Sequence, residues 1–134
     1  MATRHQAREV VTTILYAMDV GNEGIDKFID ELLEDRKIRN KQKDFALSLY
    51  NGVVENMEKI DEVIKKNLFD WSFEKIGKVE RAILRLGVYE LMFTDTDKAV
   101  IINEALESVK RLSDEKASKF INAVLDKIGK EYRK

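Results

Sequence analysis

The chain has 134 residues, enough for one domain or for two small helical subdomains that share a core. It contains no cysteine, which excludes disulfides and thiolate chemistry, and no run of about 18 apolar residues, which a membrane span requires. Lysine and arginine number 24 against 25 acids, so only the distribution of charge can indicate a polyanionic partner. We expect a cytoplasmic protein.

Helices joined by short polar turns are expected in the first half of the chain, because proline is absent and apolar residues recur at helical spacing. The first helix is predicted over residues 4–19 and the second over about 23–34. A third follows the charged turn 35–41. Segment 52–56 marks either a bend or a change of helix before a fourth helix at about 57–67.

The second half begins with a cluster of apolar residues, Leu68, Phe69 and Trp71. Ser72 is then expected to cap a short helix that ends near Gly77. Residues 79–93 are apolar nearly all round, which is typical of a helix in the middle of a bundle. Asp or Thr in the polar turn 94–97 is expected to cap the next helix, at about 98–112.

The last helix shows the most regular spacing of apolar residues in the chain, and Ser113 is predicted to cap its start. Taken together, the segments predict an all-α fold. We expect a compact bundle of about seven helices in two small subdomains, about 1–68 and 69–134.

Few residues could support catalysis. His5, the single histidine, lies near the N-terminus, where a buried site with a shifted pKa is difficult to build. The acid-rich stretch 103–107 lacks the Glu-x-x-His pairs of helical di-iron sites. We therefore expect neither an enzyme nor a metal site nor a cofactor.

A basic stripe lies along the predicted first helix. His5, Arg8, Thr12 and Tyr16 follow steps of three and four residues, with Arg4 beside them. Basic side chains interleaved with groups that stack on bases are typical of RNA-binding surfaces. The alternative is an ordinary solvated face in which the tyrosine packs against a neighbouring helix.

A second basic cluster spans the end of one helix and the start of the next. It consists of Lys110, Arg111, Lys116 and Lys119, and two intervening acids dilute it. If the first and last helices are neighbours, the two clusters would merge into one groove that could follow a single RNA strand.

Four blocks of sequence resemble the NusB family, in the order and at the spacing of that family. They are Arg-His-Gln-Ala-Arg-Glu with Ile-Leu-Tyr at 4–16, Val-Glu-Arg-Ala-Ile-Leu-Arg at 79–85, Ile-Asn-Glu-Ala at 102–105, and Lys-Phe-Ile-Asn-Ala-Val-Leu-Asp-Lys at 119–127. The resemblance covers nearly the whole chain and implies an all-α fold of two helical subdomains.

The resemblance also implies a bacterial transcription antitermination factor. Such a factor binds boxA-type single-stranded RNA of nascent ribosomal RNA together with the ribosomal protein NusE, and it helps RNA polymerase to read through terminators. A homodimer that hides the arginine-rich face is compatible with the sequence. The alternative is a helical protein-protein interaction module without specific RNA binding.

Position by position, the family's arginine-rich motif falls on Arg4, His5, Gln6 and Arg8, and Tyr16 matches the tyrosine that comes after it. His5 and Gln6 stand where family members often have arginine, which predicts fewer phosphate contacts and weaker RNA binding without NusE. Replacing Arg8 by alanine is expected to weaken RNA binding with little effect on stability, on the assumption that this arginine is exposed.

The resemblance points to a second surface, which would face the basic ribosomal protein. Glu74 and Glu80 match acidic positions of that surface. Lys116 occupies a position that is acidic in some members, and its positive charge should favour RNA.

Overall fold

The computed structural model describes residues 3–21, 24–69 and 72–133. Within these ranges the chain forms seven α-helices and three short 3-10 turns and no β-strand, which confirms the predicted all-α class. The helices are α1 (Arg4–Asp19), α2 (Ile29–Asp35), α3 (Lys41–Glu55), α4 (Met57–Lys66), α5 (Lys78–Phe93), α6 (Lys98–Leu112) and α7 (Ser118–Tyr132). The 3-10 turns are Ile25–Phe28, Phe73–Lys75 and Glu115–Ala117.

Helix α1 has the predicted bounds and begins with a reciprocal cap. The hydroxyl of Thr3 accepts from the amide of Gln6 at 3.2 Å, and the Gln6 side chain accepts from the amide of Thr3 at 2.8 Å. Two otherwise unpaired amides at the helix start are satisfied in this way. The helix ends before Gly21, whose φ of 91° suits a residue without a side chain.

Helix α5 is the central element, as its nearly all-apolar sequence predicts. It packs against α1, α3, α4, α6 and α7. Leu84, Val88 and Leu91 are at most 1% exposed. Because α5 contacts helices from both halves of the chain, it fixes their relative positions. The division into subdomains at about residue 68 stays a prediction.

Close contact between α3 and α5 depends on Gly52. A methyl group at this position would overlap the ring of Tyr89, so only glycine permits the two helices to approach this closely. Segment 52–56 is a change of helix and not a bend within one, because α3 ends at Glu55 and α4 begins at Met57. The Asn56 side chain donates to the carbonyl of Gly52 at 2.8 Å across this junction.

Three capping expectations were wrong. The Ser72 side chain makes no capping hydrogen bond, and the element directly after it is the 3-10 turn Phe73–Lys75. In the polar turn 94–97, Asp97 directly precedes α6 but its side chain caps nothing. Ser113 follows the last residue of α6 with extended backbone, and its hydroxyl donates to the carboxylate of Glu80 instead of capping α7. The side chain of Asp114 accepts from the amide of Lys116 at the start of the 3-10 turn that precedes α7.

The second predicted helix also differs from the structure. Its described part begins as the 3-10 turn Ile25–Phe28 and continues as α2, while residues 22 and 23 lie outside the described ranges. None of the helices that the structure describes is long and apolar enough to cross a membrane.

Candidate nucleic-acid interface

The predicted basic stripe of α1 divides into exposed and buried members. Arg4 and Gln6 are exposed, and the Tyr16 side chain is partly open to solvent, at 38%. Arg8 and Thr12 are only 3% and 2% exposed, because the side of α1 that carries them packs against neighbouring helices, and α1 contacts α3 and α5. The expectation that Arg8 is an exposed cation is therefore wrong.

Arg8 forms a buried ion pair with Glu90 of α5. Its Nε lies 3.1 Å from both carboxylate oxygens, and its Nη2 lies 2.8 Å from Oε1. A bidentate pair of this kind fixes the orientation of both side chains. Burial raises the pKa of Glu90 above its ordinary value, and the hydrogen bonds and charge of Arg8 only partly oppose this effect.

His5 lies between two carboxylates. Its Nδ1 hydrogen-bonds Glu104 of α6, and its Nε2 is 3.2 Å from Glu9, one turn further along α1. Glu9 also binds Arg111 of α6, whose Nε is 2.5 Å from the carboxylate. The acids Glu9 and Glu104 thus tie α1 to α6 and hold both His5 and Arg111.

Arg4 is in a different environment. Its guanidinium lies over the ring of Phe45 on α3, 4.7 Å from the ring centroid, and Arg8 approaches the same ring at 5.1 Å. Stacking on an aromatic ring orients a guanidinium and still leaves its donors available. Arg4 is therefore an exposed and oriented cation at the start of α1.

A cleft of about 300 Å³ opens beside the other half of α1. It is lined by Thr12, Thr13 and Tyr16 of α1, by Val79 of α5 and by Leu112 of α6. The aromatic ring of Tyr16 and two aliphatic side chains give this cleft the character of a stacking surface. We call it the Tyr16 cleft.

A second cleft, of about 330 Å³, lies at the end of α6. Its lining includes Glu80, Ser113, Lys116 and Phe120. Glu80 directly follows Val79 of the Tyr16 cleft, and Ser113 directly follows its Leu112, so consecutive residues of α5 and of the end of α6 line the two clefts. We call this one the Lys116 cleft.

The remaining predicted site residues do not line either cleft, apart from Glu80 and Lys116. Lys110, Arg111 and Lys119 are exposed. Glu74 is exposed on the 3-10 turn Phe73–Lys75, whereas Glu80 is half-buried and accepts from Ser113. Helix α6, and not α7, links the two basic clusters, since it carries Arg111 to α1. Helices α1 and α7 both pack against α5.

The fold and the clefts define a small all-helical protein with a basic and aromatic surface that suits nucleic acid. The model of the NusB family matches residues 5–130. The transcription antitermination protein NusB of a Nitratiruptor species is 58% identical over 133 residues, or 99% of this chain and 96% of that protein. The chain belongs to the NusB family.

Solved structures agree with this assignment. NusB of T. maritima superposes with a TM-score of 0.89 at 34% identity, covering 99% of this chain and 94% of the other. A chain from a crystal structure of the antitermination factors NusB and NusE in complex with dsRNA superposes with a TM-score of 0.85 at 36% identity. That match covers 96% of this chain and 97% of the other.

Proposed function

We propose that this protein is a cytoplasmic transcription antitermination factor. It binds boxA-type single-stranded RNA of nascent ribosomal RNA together with NusE, and it helps RNA polymerase to read through terminators. The name of the Nitratiruptor relative supports the process, and the structure of a relative with NusE and dsRNA supports both partners. The preference for a single strand and the boxA sequence are part of our proposal.

The observation that carries the proposal is the Tyr16 cleft, whose lining residue Leu112 directly follows the cations Lys110 and Arg111 on α6. An unpaired base can stack on the partly exposed ring, and the phosphates on either side can bind Lys110 and Arg111. Duplex RNA cannot offer a base in this way, because its bases are stacked inside the helix. The cleft therefore favours single-stranded RNA.

Arg8 is assigned an indirect role. Its guanidinium is occupied by Glu90 and lies 3.5 Å from Glu104, so phosphate would have to compete with two carboxylates for a buried cation. We propose that Arg8 positions α1 against α5, and that the exposed Arg4 supplies the phosphate contact at this end of the helix.

The Lys116 cleft is the place where RNA and NusE would meet. It contains Glu80, a predicted contact of the basic ribosomal protein, together with Lys116, a predicted contact of RNA. Glu74 lies on the turn that precedes α5. A partner that covers Glu80 would extend the RNA surface, and we therefore expect NusE to tighten binding.

The protein acts by binding and not by catalysis. Its only histidine is half-buried between the carboxylates of Glu9 and Glu104, an arrangement that serves an interface between two helices. Membership in a larger RNA polymerase antitermination complex follows from the proposed function. A homodimer stays a prediction.

The proposal is tested by fluorescence anisotropy of a labelled boxA-type RNA and of a scrambled RNA, with and without NusE, at fixed moderate salt. We expect preference for the boxA-type RNA and tighter binding when NusE is present. Equal weak binding of both RNAs even with NusE would contradict it and would favour the helical protein-protein interaction module.

A further inference from the structure

The strongest local concentration of positive charge lies outside both clefts. Residues 36–43, which connect α2 to the first turn of α3, contain five basic side chains and no acid. The five are Arg36, Lys37, Arg39, Lys41 and Lys43. We call this segment the basic loop.

Only two of the five cations have an acidic partner among the described residues. Arg39 binds Glu34 through two of its nitrogens, and the Lys43 Nζ is 3.6 Å from Asp30. Arg36, Lys37 and Lys41 are exposed and form no ion pair with any residue that the structure describes. The loop thus presents three exposed cations that form no ion pair in the described part of the fold.

The loop has a fixed conformation. After α2, the amide of Lys37 donates to the carbonyl of Glu34 at 2.9 Å and the amide of Ile38 donates to that of Leu33 at 2.8 Å. This is a Schellman turn, with Lys37 in the left-handed region at φ 57°. Ile38 is 1% exposed and anchors the loop in the core, while the basic side chains around it remain exposed.

Helix α3 connects the basic loop to Arg4 at the start of α1. Lys41 and Phe45 are one turn apart on α3 and therefore share a face of that helix. Arg4 lies over the ring of Phe45. Phe45 thus connects Arg4 of α1 with the face of α3 that carries Lys41.

We propose that the basic loop binds the phosphate backbone of RNA outside the segment held in the Tyr16 cleft. Arg4 and Tyr16 are twelve residues apart on α1, or about 18 Å along the helix axis, so the same strand must extend beyond the cleft to reach the loop. The inference rests on the proposed function.

The chemistry of the loop favours phosphate over protein. Its only apolar residue, Ile38, is buried, so the loop offers no aromatic or aliphatic anchor of the kind on which protein interfaces depend. Dispersed cations without an apolar centre suit a polyanionic backbone, for which affinity comes from counterion release. An acidic protein partner is the competing occupant.

The test compares the full-length protein with a triple variant, Arg36→Gln, Lys37→Asn and Lys41→Gln. Asparagine is chosen at position 37 because it tolerates the left-handed conformation. A matched control carries Lys59→Gln, Lys66→Gln and Lys130→Gln on α4 and α7, with the same change of charge. Melting curves of all three proteins establish that they are folded.

Binding is measured over a salt series with three RNAs: a short boxA-type RNA, the same RNA extended at both ends, and a scrambled RNA of the extended length. We expect the triple variant to bind both long RNAs more weakly, with a slope of log affinity against log salt that is smaller by about 2, at ~0.7 per phosphate contact. The short RNA should bind equally well to the variant and the wild type.

If the triple variant binds the long RNAs with the same affinity and salt slope as the wild type, the inference is overturned. An acidic protein would then be the better partner for the loop. A loss equal to that of the control would also overturn it, because general charge would then account for the effect. The scrambled RNA separates this inference from the proposed function. If the wild type shows no preference for boxA-type RNA, the proposed function fails, while the loop is still judged by its slope on both long RNAs.

Discussion

The guanidinium of Arg8 donates to both carboxylate oxygens of Glu90 at 2.8 to 3.1 Å, across the interface between α1 and α5. Both side chains are at most 4% exposed. A buried pair of this kind contributes little net stability, because desolvation offsets the attraction between the charges. Removing one partner is costly, since the other charge then remains buried and uncompensated.

Replacing Arg8 by alanine is therefore expected to lower the free energy of unfolding by about 3 to 5 kcal/mol. Urea denaturation measures this change. The double variant Arg8→Met with Glu90→Leu removes both charges and should lose much less stability, which separates the effect of an orphaned carboxylate from that of lost packing. A single variant that is as stable as the wild type but binds RNA poorly would instead support the exposed role that the sequence suggested.

The ionisation of Glu90 should lower the stability of the protein as the pH rises, whereas the ionisation of an ordinary paired acid raises it. The folded-state pKa of Glu90 is raised above its ordinary 4.5, so the folded protein holds this proton at a pH where the unfolded chain has released it. This contribution to stability is fully present below the unfolded pKa. It is lost as the pH rises through the folded pKa.

The variant Glu90→Gln provides the measurement, because glutamine cannot titrate. As the pH rises from about 4.5 into the range of the raised pKa, the unfolding free energy of the wild type should fall relative to that of the variant. Urea titrations at several pH values give this difference. A difference that stays constant, or that shifts in favour of the wild type, would show that Arg8 outweighs burial.

Glu9 restrains a cation that the proposed function requires. Its carboxylate is 6% exposed and binds Arg111, whose side chain is 63% exposed. We expect Glu9→Gln to tighten RNA binding several-fold, because the substitution removes a negative charge beside the Tyr16 cleft and frees the arginine. Anisotropy at low salt measures the gain, with Glu58→Gln, an exposed acid on α4, as the control. A gain of the same size in the control would mean that general charge is responsible.

Helix positions could be predicted from the sequence, but the environment of Arg8 could not. The bounds of α1 and α6 and the central place of α5 follow from periodicity, which depends on neighbours within a few residues. Whether Arg8 is buried depends on Glu90, which lies 82 positions away. The available signal was Glu90 itself, because a charge within a nearly all-apolar helix must have a partner.

Capping by Ser113 failed for a related reason. The sequence around it suggests a helix start, since a serine is followed by two acids. In the fold its hydroxyl is taken by Glu80, which lies 33 positions earlier in the chain. Helical periodicity could not predict the two clefts either, because three separate helices, α1, α5 and α6, contribute to the Tyr16 cleft.

The two positions of the arginine-rich motif that lack arginine are not equivalent. Gln6 is exposed, whereas His5 lies between Glu9 and Glu104, which would also capture an arginine. We expect Gln6→Arg to increase the salt slope of RNA binding by about 0.7, the value for one phosphate contact, and His5→Arg to change it less. Gln6→Arg removes half of the cap with Thr3, so its melting temperature should fall slightly. Equal slopes for both single variants would contradict this assignment.

Lys37 occupies a backbone position that favours glycine, with φ at 57° in the Schellman turn after α2. The left-handed conformation costs an ordinary residue about 1 to 2 kcal/mol, whereas glycine in an unfolded chain gives up roughly 0.5 to 1 kcal/mol more entropy on folding. Lys37→Gly should therefore stabilise the protein by about 0.5 to 1 kcal/mol in urea denaturation, and Lys37→Asn by less.

Arg36→Gly is the control for this comparison, because Arg36 has φ at −90° and glycine there brings only its entropic cost. We expect this control to be destabilised while Lys37→Gly is stabilised. If Lys37→Gly also binds extended RNA with a smaller salt slope, then the lysine maintains a strained turn for the sake of its charge. If Lys37→Gly is less stable than the wild type, the left-handed turn imposes no strain on lysine and its presence there needs no functional explanation.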